Sequence, residues 1–323
     1  MEKLIVAAFA AALAAVTTAS ANNYPSRSIT IIVPFSAGGP TDALARTLGE
    51  RMRQTLGQPI VVENVTGAGG TIGVGRAVQA APDGYTLSIG HLGTHVVNGA
   101  MYPLNFDLVK DFEPVAMIAS NPMMVVTKNN VPAKNLKELI AWIKANDGKT
   151  TAGTAGVGSG SHFSGVYFSQ LIGAKLQFVP YRGTGPALLD LVAGQIDLIV
   201  DQASNSMAQV KAGKIRPYAI TSDKRLAAAP EIPTVDEAGL PGFYVELWSG
   251  IWAPKGTPKE IVGKLNAAIR DALADPAVRK RLEETGLDIP PREKQTPEAL
   301  GAHQQAEVKK WWPMIKAAQI KAE

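Results

Sequence analysis

Val33-Pro34-Phe35-Ser36-Ala37-Gly38-Gly39-Pro40-Thr41-Asp42 joins a β-branched run, Ile29 to Val33, to a helical pattern that begins near Thr41. The glycines let the backbone turn tightly and come close to a ligand. The helix start offers unpaired N–H groups at the positive end of a dipole, a combination that holds anions. A related phrase, Val179-Pro180-Tyr181-Arg182-Gly183-Thr184-Gly185-Pro186, occurs in the second half of the chain. Two strand–loop–helix units, one in each half, predict two lobes that face one ligand.

Outward from this loop, strand and helix signals alternate along the chain, which predicts an α/β fold with largely parallel sheets. Ile60–Glu63 and Thr86–Ile89 read as strands, and Ala43–Leu56 and Ile72–Ala80 as helices. Asn64-Val65-Thr66-Gly67-Ala68-Gly69-Gly70-Thr71 is a second glycine-rich strand-to-helix loop. Pro122–Thr127 reads as a strand crossing into a second lobe. There Asn135 is placed to cap a helix, with Glu138 three residues on. Thr151 to His162 is a strand ending in a glycine–serine loop, followed by an apolar helix from Phe163 to Ile172. Gln177–Val179 and Ile196–Val200 are further strands, and Val245–Ala253 reads as the strand that returns. Thr257-Pro258-Lys259-Glu260 has the form of a helix start with Thr257 as N-cap. Helices around Pro276–Thr285 and Pro297–Ala318 close the chain. A helical tail of this length is expected to pack back on the first lobe. The domain reading is therefore residues 22–121 and 246–323 for a discontinuous first lobe and 122–245 for an inserted second lobe, with two crossing strands as hinge.

The 323 residues suffice for two such domains with real cores. Residues 1–21 read as a signal peptide: Lys3, an apolar run from Leu4 to Val16, and Ala19-Ser20-Ala21 before a cleavage point at Asn22. There is no cysteine, which removes disulfides, thiolate metal sites and a lipid-modified N-terminal Cys. The net charge is +4, but the basic residues are scattered and no basic stripe with interleaved aromatics suggests nucleic acid. The expected location is the periplasm.

Several chemistries can be tested on spacing. No glycine is followed by Lys and Ser/Thr in a P-loop frame, and Gly67-Ala68-Gly69-Gly70-Thr71-Ile72-Gly73 misplaces the third glycine of a dinucleotide fingerprint. Gly-x-Ser-x-Gly is absent; Ser159 and Ser161 stand among glycines in the wrong frame. His91 and His95 have helical i,i+4 spacing, but Gly93 lies between them and no nearby carboxylate offers a third metal ligand. His162 is open to two readings, donor to an anion or plain helix-start histidine. Asp42 is equally open: as a carboxylate at a helix start it contributes about 0.3–1 kcal/mol, or it accepts from an amino-acid ligand's ammonium. Carboxylate pairs for glycoside chemistry, with Asp42, Asp201 and Glu246 as candidates by position, are not settled by sequence. Trp311-Trp312 reads as core or lobe packing rather than a ligand box, and Trp248 and Trp252 are placed near the hinge, where one of them would wall the cleft. Several glycine loops, all at C-terminal strand ends, point to ligand binding there.

These residues resemble the Bug/TctC-type extracytoplasmic solute receptors of tripartite tricarboxylate transporters. The carriers are Val33-Pro34-Phe35 with Gly38-Gly39 and Asp42, Asn64 with Gly67-Ala68-Gly69-Gly70, Asp83-Gly84-Tyr85-Thr86-Leu87, Thr94-His95, Asp107 to Phe112, Val179-Pro180-Tyr181-Arg182-Gly183, Gly194-Gln195-Ile196-Asp197, Pro233 to Gly239, and Ala253 to Pro258. The resemblance implies a two-lobed periplasmic binding protein (type II-like), each lobe a mainly parallel sheet flanked by helices, with a cleft that closes on a small carboxylate, dicarboxylate or aromatic. It implies ligand-facing positions at Phe35, Ser36, Ala37, Gly38, Gly39 and Asp42, at Gly69, Gly70 and Thr71, and at Gly90 and Thr94. On the other lobe they are Gly158, Ser159, Gly160, Ser161, His162 and Asp201. It implies no catalytic residue, cofactor or metal, a monomer, and integral-membrane transporter subunits as partners. Departures fall at Ser36, where Ala is usual, at Val96-Val97-Asn98-Gly99, and at Ile199-Val200. Arg182, where Lys is common, is the candidate partner of a distal carboxylate, although its family counterpart is not generally a ligand contact. An exported hydrolase on the same scaffold and a sensor that presents its ligand to a membrane kinase are the alternatives.

Overall fold

A computed structural model describes residues 24–317; the signal-peptide reading of residues 1–21 lies outside the described residues. In the first half come strand β1 (Ile29–Val33), helix α1 (Pro40–Leu56), β2 (Ile60–Asn64), α2 (Thr71–Val78), β3 (Thr86–His91), the short α3 (Asn98–Met101) and β4 (Phe112–Ala119). Then follow β5 (Met123–Lys128), α4 (Leu136–Ala145), β6 (Thr151–Thr154), α5 (Gly160–Ile172), β7 (Gln177–Pro180), α6 (Thr184–Val192), β8 (Leu198–Gln202), α7 (Ala203–Lys211) and β9 (Ile215–Ile220). The chain ends with β10 (Ser249–Pro254), α8 (Lys259–Ala274), α9 (Pro276–Glu284) and α10 (Pro297–Ala317).

Every residue of β1 is β-branched, which favours the extended backbone. Nearly all of it is buried, as befits a strand paired on both sides. The first sheet has the order β2-β1-β3-β10-β4, the second β7-β6-β8-β5-β9. In each, one strand runs against the others: β10 is antiparallel to β3 and β4, and β5 to β8 and β9. Both reversed strands are the ones that enter from the opposite lobe. A chain arriving across the cleft reaches the C-terminal ends of the parallel strands first, so it must run backwards through the sheet. The sheets are thus mixed, mainly parallel with one reversed strand each.

The two crossing segments meet at an isolated Pro122–Glu246 bridge, and Leu247 N–H donates to the Asn121 carbonyl at 2.9 Å. The returning strand begins at Ser249 rather than Val245, because residues 245–248 are changing sheets and belong to neither ladder. The strands β4 and β9 escape sequence reading. Each carries a proline, Pro114 and Pro217, lies at a sheet edge and is bulged beside that proline. A residue without an N–H is tolerated there and weakens the strand signal.

Asn135 caps α4, its side chain accepting from Glu138 N–H at 2.9 Å. Thr257 does not cap α8: its hydroxyl donates back to the Pro254 carbonyl at 2.8 Å, and Pro258 occupies the N-cap position. The tail packs on the first sheet, α10 against β4 and α8 against α1 and β4.

Candidate functional site

Parallel strands deliver their following loops to one end of a sheet, and the two sheets present those ends to each other. The loop after β1 is cinched from within. Asp42, 3% exposed, accepts from Gly38 N–H at 2.9 Å and from Asn64 Nδ2 at 3.0 Å, and pairs with Arg46 at 2.9 Å. Burial pushes its carboxyl upward, but the bonds from Arg46, Gly38 and Asn64 outweigh this and hold it below the usual carboxylate range. Asp42 therefore braces the loop. Phe35 is buried and stacks on His91 at 5.3 Å, while Ala37 and Gly38 lie at the surface.

The loop after β2 holds Gly67, Ala68, Gly69 and Gly70 at positive φ in succession. This left-handed backbone requires glycine at most of these positions. It brings Gly69 against the opposite lobe: a Cβ there would stand 2.1 Å from the Val157 carbonyl oxygen. Thr71 is half-buried at the start of α2, its hydroxyl donating to the Ala68 carbonyl at 2.9 Å.

Gly90 and Thr94 pack inside the first lobe. Thr94 Oγ1 accepts from His91 N–H at 3.1 Å and contacts His95 Nδ1 at 3.0 Å. His91 Nδ1 accepts from Gly93 N–H, and the His95 ring stacks on Trp252 at 3.8 Å with Ser88 at its other nitrogen. Burial pushes His91 down to about 4 and holds His95 well below its ordinary value, so both rings are neutral. Among the described residues no group of three His, Cys, Asp or Glu is placed to hold a metal ion.

On the second lobe, Ser159 caps α5 by accepting from His162 N–H at 3.2 Å, and Ser161 Oγ accepts from Ala155 N–H at 2.8 Å. His162 Nδ1 accepts from Gly158 N–H at 3.3 Å, and burial lowers its pKa to about 4. With Nδ1 accepting and the ring neutral, the proton sits on Nε2, so the Gly158 bond fixes the ring at the helix start and leaves Nε2–H as its donor. Asp201 is fully buried and accepts from Gln202 N–H, Asn205 and Ser206 at 2.6–2.9 Å; burial raises it to about 6.

Between the lobes lies a cavity of about 660 Å³, lined by Gly67, Ala68, Gly69 and Tyr102 on one side and by Ala155, Gly156, Val157, Pro180, Tyr181, Arg182 and Pro186 on the other. Of the positions named from sequence, Gly69 and Arg182 are on this wall. Ser159, Ser161, His162, Asp42 and Asp201 are turned into their own loops. Neither Trp248 nor Trp252 lines it; Trp252 is buried on His95 and Trp248 bonds Glu307 at 3.2 Å. Val157 belongs to the glycine–serine loop that the sequence marks, whereas Tyr102 carries no sequence signal, because nothing local marks it. Tyr102 OH donates across the gap to the Val157 carbonyl at 2.6 Å.

The two similar phrases touch each other. Ser36 N–H donates to the Arg182 carbonyl at 3.0 Å, and a Cβ on Gly183 would stand 2.4 Å from Ser36 Oγ. Ser36 Oγ is buried, has no partner among the described residues, and faces the other lobe's loop rather than the cavity wall.

A family model described as the tripartite tricarboxylate transporter family receptor, TctC, matches residues 44–320. The chain belongs to that family. Among solved structures, it is similar to the periplasmic binding protein BugD at 40% identity and a TM-score of 0.89, covering 93% of this chain and all of that one. It is similar to MatC of Rhodopseudomonas palustris with bound malate at 42% identity and a TM-score of 0.88, over 90% of this chain and all of that one. A further R. palustris protein, solved with adipate, is 33% identical with a TM-score of 0.87, over 93% of this chain and 99% of that one. These relatives are solute-binding receptors, so this TctC-family protein is a receptor and not an enzyme, and the hydrolase alternative falls. Among the described residues, no helix of the receptor is long and apolar enough to cross a membrane.

Proposed function

We propose that this receptor captures a small dicarboxylate in the cavity between its lobes and hands it to membrane subunits of a transporter. The carrying observation is Arg182. It lies on the cavity wall, exposed, and among the described residues its guanidinium has no ion pair and no hydrogen bond. Facing it across the cavity is the positive-φ turn Gly67–Gly70 that opens α2. Within this turn the Gly70 N–H donates to the Gly67 carbonyl and the Thr71 N–H to the Ala68 carbonyl, which leaves the Ala68 and Gly69 amides to receive one carboxylate and Arg182 the other. Dicarboxylates in two related structures, malate and adipate, support the reading. A micromolar receptor needs about 8 kcal/mol of net binding. Bonds to a charged group contribute about 1.5–3 kcal/mol each, so four or five suffice with burial of the ligand's apolar part. We take 122–245 as the closing lobe, hinged at Pro122 and Glu246, and the mature chain as beginning at Asn22 in the periplasm.

Calorimetric titration of mono- and dicarboxylates tests this. Arg182→Ala is expected to weaken dicarboxylates by about tenfold or more and to leave monocarboxylates within about twofold. Equal losses for both would overturn the role of Arg182. Thermal stabilisation by a sugar or nucleotide, with no acid active, would overturn the ligand class.

A further inference from the structure

Away from the cleft, α8, α9 and the turn before α10 enclose a recess of about 170 Å³. Three arginines line it: Arg270 from α8, Arg279 from α9 and Arg292 from the turn, with Leu273, Pro290 and Gln295 among the remaining wall. Arg279 is accounted for. Its Nη2 pairs with Glu283 at 3.2 Å and its Nη1 donates to the Leu273 carbonyl at 3.4 Å. Arg270 and Arg292 are not: among the described residues neither has an ion pair or a side-chain hydrogen bond. Arg270 Nε is sealed from solvent and has no acceptor among the described residues. Of the nearby acids, Asp275 is engaged with Arg51 at 3.1 Å and with the first amides of α9, and Glu283 is the one carboxylate paired within the cluster.

Like charges gathered on one recess repel, and a sealed N–H donor without an acceptor is unfavourable. A single oxyanion seated on the guanidinium ends relieves the repulsion. Guanidinium forks match phosphate geometry, and the recess has room for one tetrahedral group but not for a nucleotide. We infer that this recess is a second binding site, separate from the ligand cleft, for a phosphate-type anion, met either as the free ion or as a lipid headgroup.

The test is calorimetric titration of the whole receptor with inorganic phosphate at low ionic strength, beside co-sedimentation with phosphatidylglycerol or phosphatidylcholine vesicles. Arg270→Met is expected to weaken phosphate by about tenfold. The exposed Arg292→Ala, which leaves the fold undisturbed, is expected to weaken it in the same sense. Malate-induced thermal stabilisation, read on the cleft, should persist in both variants. Its loss in wild type would count against the cleft reading and leave the recess unaffected. Capture by phosphatidylglycerol alone, abolished by Arg292→Ala, identifies the headgroup as the source; phosphate binding without vesicle capture identifies the free ion. Absence of both, or binding that neither variant changes, overturns the proposal.

Discussion

Gly69 is the point at which the loop after β2 meets Val157 of the other lobe. Its φ of 59° and its approach to Val157 both exclude a side chain. Gly69→Ala is expected to cost about 1–2 kcal/mol for the left-handed backbone. It also drives a methyl group into the carbonyl of the other lobe. Both lobes should fold while ligand affinity falls by more than about tenfold, as calorimetry would read it. Unchanged affinity with a closed shape in solution scattering would show that the lobes do not meet at this point. Glycine at this position was legible in the sequence as a sign of tight turning and close approach. That the neighbour is Val157 was not, because the contact joins two loops far apart in the chain.

Among the elements, the C-terminal helix α10 does more than cover the first sheet. Trp311 is 3% exposed and sets its ring edge-on to Phe163 of α5 at 4.9 Å. Its Nε1 donates to Glu307 at 2.9 Å, while Trp312 Nε1 reaches the Val96 carbonyl of the first lobe. The tail thus touches the helix whose start forms the second-lobe loop. Trp311→Ala is expected to destabilise by about 3–5 kcal/mol, measured as a lower urea midpoint. A change under about 1 kcal/mol would mean that this packing is not formed in solution. The sequence reads both tryptophans as core or lobe-packing residues rather than a ligand box. It did not assign Trp311 to the second lobe, because the helical period reveals a buried face and not what covers it. The edge strands β4 and β9 show the same limit: Pro114 and Pro217 erase the local strand signal, and only pairing with β10 and β5 creates those strands.

For the whole molecule, buried ionisable groups set the acid response. His91 and His162 are pushed down to about 4, and His95 is held well below its ordinary value, so the folded chain refuses protons that the unfolded chain accepts near 6.5. Their contribution to stability is complete above pH 6.5 and is lost as the pH falls towards 4. Asp201 acts oppositely. Raised to about 6, it holds its proton in the folded state, and its contribution is complete below 3.8 and lost as the pH rises through 6. Three histidines outweigh one aspartate, so the Tm should drop steadily between pH 6.5 and 4.5. His162→Asn, which retains a side-chain acceptor, should flatten the drop; a profile with equal slope would remove His162 from the titrating set.

The sequence by itself determined the alternation of strands and helices, the glycine turns at strand ends and the cap at Asn135. Each of these follows from periodicity, φ preference or hydrogen bonding within a few residues. The motifs quoted from the chain also carried the resemblance to its family. Tertiary structure decided which loop atoms face the cavity. Asp42, Ser159, Ser161, His162 and Asp201 turn inward because buried amides and hydroxyls of their own loops need acceptors. That leaves the wall to glycine and alanine backbone, Val157, two prolines, Tyr102, Tyr181 and Arg182. It also decided that the two similar phrases meet, Ser36 against Arg182 and Gly183. A side chain's direction depends on what closes over it from the other lobe, and local sequence does not encode that neighbour.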